Sequence, residues 1–342
     1  MSEGQGRRER LRYKPQEAIP GPGLLFIRPV TSHVGKYQRI RLLAEGIIED
    51  YLASAAGPRG IEKTLVLQCL RTDMAELVDF PEIFLDTARA AARLTHPHLV
   101  KVFDVGKADG TYFLAREHID GPSLRRVIQH VAAQRMTLPA TLCARIISQA
   151  CEGLAYAHDL TDPETHEPLR LIHRHIRPYN ILLSRQGTTQ VVDFGIDDFR
   201  DRWEPRYLIP NLSKYRYMAT EEARGVPVDR RVDVYALGVA LYELLTTRRP
   251  FDSTPDGGLF KAALFEPLVP AEQHRPDLPD ALRAILARAL AKEREQRYPD
   301  CHAFRKDLED FILSEGEPVT SRQLAQFVQQ VTASDDSSPR PS

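Results

Sequence analysis

Short apolar runs broken by polar or turn-forming residues open the folded part of this chain, and longer runs at helical spacing close it. From Lys36 the segments RIRLLAEG, EDYLAS and KTLVLQCL have the texture of strands. FPEIFLDTARAAARLTHPHL follows, and its Ala, Leu and Arg content predicts a helix that stops near Pro97. VKVFDVGKADGTYFLAREHI predicts two strands joined by a turn at Ala108, Asp109 and Gly110. After Gly121 apolar positions recur at helical spacing in SLRRVIQHVAA, TLCARIISQACEGLAYAH, VDVYALGVALYELL, DALRAILARALAK and AFRKDLEDFIL. A small strand-rich half followed by a large helical half predicts a two-lobed α+β architecture. The last segment, TSRQLAQFVQQVTA, puts Leu324, Phe327, Val328 and Val331 on one helix face, with Thr320 and Gln323 at capping-box spacing. That face either docks on the larger lobe or meets a partner.

Composition narrows the picture without changing it. The 342 residues are 42% apolar and 27% charged, ordinary for a globular chain, and the formal net charge of -1 offers no global field for nucleic acid. No apolar run approaches the length needed to span a bilayer. Cys69, Cys143, Cys151 and Cys301 form no CxxC pair or Cys/His cluster, which argues against zinc and for a reducing, cytoplasmic setting. Residues 1–35 read as a disordered tail with a basic cluster at Arg7, Arg8, Arg10, Arg12 and Lys14. A solvated arm is the simpler reading of that cluster, and a nucleic-acid or membrane contact is the alternative.

Two motifs then stand in order. HRHIRPYNILL (173–183) resembles the catalytic loop of protein kinases, and VVDFGI (191–196) resembles their metal-binding loop. LTHPHLVKVFDVG, REHIDGPSL, YMATEEARG, VDVYALGVALYELLTTRRPF and KEREQRY resemble further kinase segments in family order. The chain is similar to bacterial serine/threonine protein kinases over about residues 36–315. The resemblance implies a kinase-like fold: an N-lobe over 36–116, a C-lobe over 117–315, then a helix over 316–335 and a disordered tail over 336–342.

The chemistry of that family is only partly present. Phosphoryl transfer is mostly positioning and charge stabilisation. The glycine-rich loop aligns with LAEGIIEDYLA (43–53) if one residue is missing; Gly46 survives, and Glu45, Glu49 and Asp50 put negative charge where triphosphate would lie. Asp50, if buried there without a partner, would be costly or shifted upward in pKa. Gln68 stands for the β3 lysine, with Lys63 a poor substitute at odd strand spacing. Val66 replaces the small residue that touches adenine, and Leu182 would be the floor of that site. Thr87 stands for the helix αC glutamate. Arg116, at the gatekeeper position before Glu117 of the hinge, either fills the back of the adenine pocket or snorkels outward.

In the catalytic loop His175 replaces the aspartate and Arg177 the lysine. Asn180 and Asp193 remain, and could hold magnesium or close hydrogen bonds around the loop. The architectural residues of the family persist better: His173, Phe194 and Asp233, Val102 and Ala91 in the N-lobe, and Glu221 with Arg297 as an expected buried ion pair. In the activation segment Lys214 stands at the substrate-facing threonine, and Arg200, Arg202 and Arg206 are basic. Those arginines read as a solvated loop, or as a docking surface for an acidic or phosphorylated partner. The resemblance, with Gln68, Thr87 and His175 lost together, implies a pseudokinase that takes no cofactor and serves as a signalling scaffold or allosteric regulator of a protein partner, an active kinase or signalling protein. The alternative is a weak kinase that uses Mg-ATP.

Overall fold

The computed structural model describes residues 33–56, 62–203, 215–251, 258–316 and 319–336. The N-terminal basic cluster, Arg206 and Lys214 lie outside the described residues, as does the side chain of Arg202.

The strand-like runs of the first third form one six-stranded antiparallel sheet. Its strands are β1 (His33–Val34), β2 (Tyr37–Ala44), β3 (Ile48–Ala56), β4 (Glu62–Leu70), β5 (Val102–Ala108) and β6 (Thr111–Glu117), in the order β1-β2-β3-β4-β6-β5. The β5–β6 hairpin turns on Asp109 and Gly110, at φ 49° and 78°. Asp-Gly is the pair that tolerates such a two-residue turn. Side chains alternate across the sheet. Tyr51, Leu65, Leu67, Cys69, Phe113 and Ala115 pack on one face. Asp50, Val66 and Gln68, at alternate positions in register across β3 and β4, belong to the other.

Between β4 and β5 lie the single turn α1 (Thr72–Ala75) and the helix α2 (Phe80–Ala92). The helix ends five residues short of Pro97, because Leu94 turns into the core, 3% exposed, and the residue before proline avoids helical backbone. Phe80, Phe84, Leu85 and Ala88 of α2 bury themselves with Leu70 and Leu114 of the sheet.

The rest is helical. α3 (Leu124–Ala133), α4 (Ala140–Asp159), α7 (Arg231–Thr246), α9 (Asp280–Ala289) and α10 (Cys301–Ser314) contribute to one large core, with α7 buried along nearly its whole length. A small hairpin of β7 (Ile181–Leu183) and β8 (Thr189–Val191) follows the catalytic-loop motif. Short helices α5 (Ile196–Trp203), α6 (Thr220–Ala223) and α8 (Gly258–Phe265) complete the described helices before α11 (Ser321–Asp336). Leu324, Phe327, Val328 and Val331 of α11 enter the large core. Thr320 and Gln323 exchange the two hydrogen bonds of a capping box, at 2.7 and 3.3 Å. At Gly187 (φ 80°) a Cβ would strike the Ser321 carbonyl, so the β7–β8 turn and the start of α11 touch backbone to backbone. No described helix is long and apolar enough to cross a membrane.

Candidate functional site

Four pieces of chain converge between the sheet and the helical half: β3 and β4, the end of β6, the loop 173–180, and the segment from Asp193 through α5. Asp193 itself holds a left-handed backbone (φ 61°), and Gly195 beside it (φ 76°) would bring a Cβ to 3.1 Å from Thr87. The turn from loop into α5 therefore runs close against α2.

Gln68, 0% exposed, donates from Nε2 to Asp193 Oδ1 at 3.0 Å and to Asp50 Oδ1 at 3.3 Å. Arg116 points inward rather than snorkelling: it is buried, and its Nε lies 3.2 Å from Asp193 Oδ1. Arg200 is the largest departure from the sequence reading. It is not a solvated loop residue. Its guanidinium reaches back from α5 to Asp50, to Asp197 at 2.9 Å and to Asp193 at 4.0 Å. Asp197 also accepts from Asn180 Nδ2 at 2.6 Å and meets Arg177 at 3.4 Å. Arg177 in turn contacts His175 Nδ1 at 3.1 Å. Three carboxylates thus face three guanidiniums, with two amides between them. Buried charge persists only with such pairing.

Protonation follows the pairing. Burial works against the charge of Asp197, yet Arg200, Arg177 and the Asn180 amide hold its pKa at about 2. Burial also dominates at Asp50 and there raises the pKa, despite Arg200. The Asp50 carboxylate is therefore partnered, but its pairing does not fully offset its burial. At Arg200 burial opposes the charge, and the three carboxylates outweigh it and lock the cation on.

Other expectations about charge near the triphosphate change with the geometry. Glu49 lies on the opposite face of β3 from Asp50 and accepts the Tyr51 hydroxyl at 2.8 Å. Glu45 is exposed at the hairpin, beside half-buried Gly46, and the next residue, Ile47, is buried against the small-lobe core. Lys63 sits 3.6 Å over the Phe103 ring, away from Gln68. Val66 is buried opposite Arg116 in the β4–β6 register, and half-buried Glu117 pairs with Leu65. Leu182 packs under Val100, Ile119 and Val192. Thr87 spends its hydroxyl on the Ile83 carbonyl one turn back, at 2.8 Å. Behind Gln68 a cavity of about 20 Å3, bounded by Ala91, Val102, Arg116, Asp193 and Phe194, has room for about one water.

A divalent cation between Asn180 and Asp193 does not fit this arrangement. Asp193 already faces Arg116 and Arg200, Asn180 turns its amide nitrogen to Asp197, and two guanidiniums would repel the metal. The one feature in favour is Asn180 Oδ1, buried and without a hydrogen-bond partner among the described residues. Among those residues no group of three or more His, Cys, Asp or Glu is placed to hold a metal ion.

Comparison with known proteins agrees with the fold. Residues 64–333 match the family described as the protein kinase domain. The chain belongs to the protein kinase family. The tyrosine-protein kinase MasK of Myxococcus xanthus is 38% identical over 299 residues, covering 87% of this chain and 46% of MasK. The serine/threonine-protein kinase PrkC of Bacillus subtilis is 28% identical over 275 residues, covering 80% and 40%. The chain therefore spans less than half the length of these curated relatives. The crystal structure of the Mycobacterium tuberculosis PknI kinase domain superposes with a TM-score of 0.59 at 28% identity, covering 81% of this chain and 97% of that one.

The internal scaffold of this kinase domain is fully knit. Asp233, 0% exposed, accepts from the His173 and Arg174 backbone amides at 2.9 and 2.8 Å and pairs with His158 Nε2 at 2.8 Å. Burial alone would strip the proton from His158, but the Asp233 carboxylate lifts its pKa to about 10. His173 bonds the Val192 carbonyl and meets the Phe194 ring edge-on at 5.1 Å. Glu221 and Arg297 form a bidentate buried pair at 2.6 and 2.8 Å. Sequence reasoning missed Asp197, His158 and Phe199. Phe199 wedges α5 onto α2, 4.9 Å from the Phe80 ring and 5.8 Å from Phe84. The Asp197/Arg200 spacing of three residues was the available signal for an ion pair within α5.

Proposed function

We propose that this kinase domain is a pseudokinase, a binding module that regulates or scaffolds a protein partner and does not transfer phosphate. Arg200 carries the reading: a cation from the chain itself sits among Asp50, Asp193 and Asp197, beside the one carboxylate, Asp193, that a kinase turns toward metal. The neighbouring losses point the same way. Gln68 brings no charge to a phosphate and is committed to two aspartates. Thr87 offers no carboxylate to pair with a cation, so no orphan charge remains in its place. His175 lacks the fixed negative charge that orients an attacking hydroxyl. A retained scaffold around an altered cleft is what a binding role requires. The partner expected is an active kinase or another signalling protein in the cytoplasm.

A second reading, a weak kinase using Mg-ATP, draws on the unpartnered Asn180 Oδ1 beside the retained Asp193. It requires Arg200 to leave. Incubation of the full chain with labelled ATP, with magnesium or manganese and a generic protein substrate, separates the two. The pseudokinase reading expects no label on the chain or the substrate. Label that disappears in Asp193→Ala would overturn it.

A further inference from the structure

On the helical half, away from the cleft, the C-terminal ends of α3 and α7 and the segment before α9 enclose a cavity of about 540 Å3. Arg135, Arg248, His274 and Arg275 line it together with Thr137 and Gln273, and among the described residues that line it there is no aspartate or glutamate. Cations near helix C-termini have an ordinary purpose, since they offset the exposed carbonyl ends. Arg275 serves it: the side chain is buried, and Nη1 donates to the Leu245 carbonyl at 3.3 Å. Its Nε, 3.5 Å from Asp277 Oδ2, has no hydrogen bond, and the Asp277 side chain is 68% exposed.

Arg135 and Arg248 do not serve it. Both are exposed, and among the described residues neither side chain has a carboxylate partner or a carbonyl to cap. Arg135 follows the C-cap Gln134 in a left-handed backbone, φ 51°, a position that glycine fills at least cost. An arginine held there sets a long cation at the rim of the cavity. The guanidinium fork matches tetrahedral oxyanions with two parallel N–H donors, and the hydroxyl of Thr137 and the amide of Gln273 add neutral donors. The space exceeds a bare anion and admits a side chain that carries one.

We propose that this pocket binds a phosphate group, carried either on a phosphorylated serine or threonine of a protein partner or by free inorganic phosphate. The site is independent of the cleft and of whether the cleft takes nucleotide. The test is calorimetric titration of the full chain at fixed ionic strength set with chloride. The probes are inorganic phosphate, a phosphoserine pentapeptide flanked by alanines, and its unphosphorylated twin. Phosphate-bearing probes bind, the unphosphorylated peptide does not, and the Arg135→Ala/Arg248→Ala variant weakens binding at least about tenfold, the loss of a charge-assisted hydrogen bond or more. Arg248→Lys, which keeps charge but loses the fork, falls between. Tighter binding of the phosphopeptide than of phosphate assigns the ligand to a protein, and the reverse assigns it to the free anion. No binding of either phosphate probe, or unchanged binding in both variants, overturns the site.

Discussion

The helical scaffold and the interlobe cleft both bury ion pairs, and they bury them differently. In the Asp233 and Glu221–Arg297 pairs of the scaffold one member is tied to backbone: Asp233 accepts two amides beside His158, and Arg297 donates to the Ala291 and Lys292 carbonyls beside Glu221. In the cleft the charges are met almost wholly by other side chains, drawn from β3, β4, β6, the catalytic loop and α5. A backbone-anchored pair fails only when the fold fails. A side-chain network can be rearranged by moving one short helix. The difference separates charges anchored in the backbone from charges held by side chains that a shift of α5 would release.

Four substitutions probe that contrast. Asp233→Ala has the largest effect, because it strands two backbone amides and a buried imidazolium together. It costs more than about 4 kcal/mol and yields little folded protein, read as loss of a cooperative thermal transition. Glu221→Gln leaves Arg297 buried and uncompensated, and lowers stability by about 3–5 kcal/mol in denaturant unfolding.

The cleft responds less, and unevenly. Asp197→Asn removes the partner of Arg200, Arg177 and Asn180 at once and costs about 2–3 kcal/mol at neutral pH. Asp197 has a depressed pKa, so its contribution is full above the ordinary carboxylate range and is lost as pH falls through about 2. Asp50 has the opposite sign. Its raised pKa means that the folded state favours the protonated acid, so stability is lost as pH rises through that pKa. Asp50→Asn removes this penalty together with the Arg200 contact, changes stability by less than about 1 kcal/mol and flattens the decline. Equal costs at Asp50 and Asp197 would show that the network does not have this asymmetry.

Much of this is legible in the residues, for reasons that the two regions make plain. Helical and strand periodicities persist locally, so the sheet, the helices and the buried faces of α7 and α11 follow from pattern. Gln68, Thr87 and His175 are readable because each occupies a motif position. Arg200 reads as loop because a basic residue among polar neighbours looks solvated until its destination is known. Its destination depends on Phe199 anchoring α5 against Phe80 and Phe84, a contact more than a hundred residues distant in sequence. The direction of Arg116 likewise follows from Asp193, which lies on another element. Glu49 departs from expectation for a simpler reason: strand alternation already turns it away from Asp50.

The claim that the chain's own cation closes the cleft is tested most directly by the melting temperature of the full protein under a titration of ATP with magnesium or manganese. A cleft closed by Arg200 gives a flat curve. A concentration-dependent rise, equivalent to about 2.7 kcal/mol of stabilisation at a hundredfold excess over Kd, would contradict it.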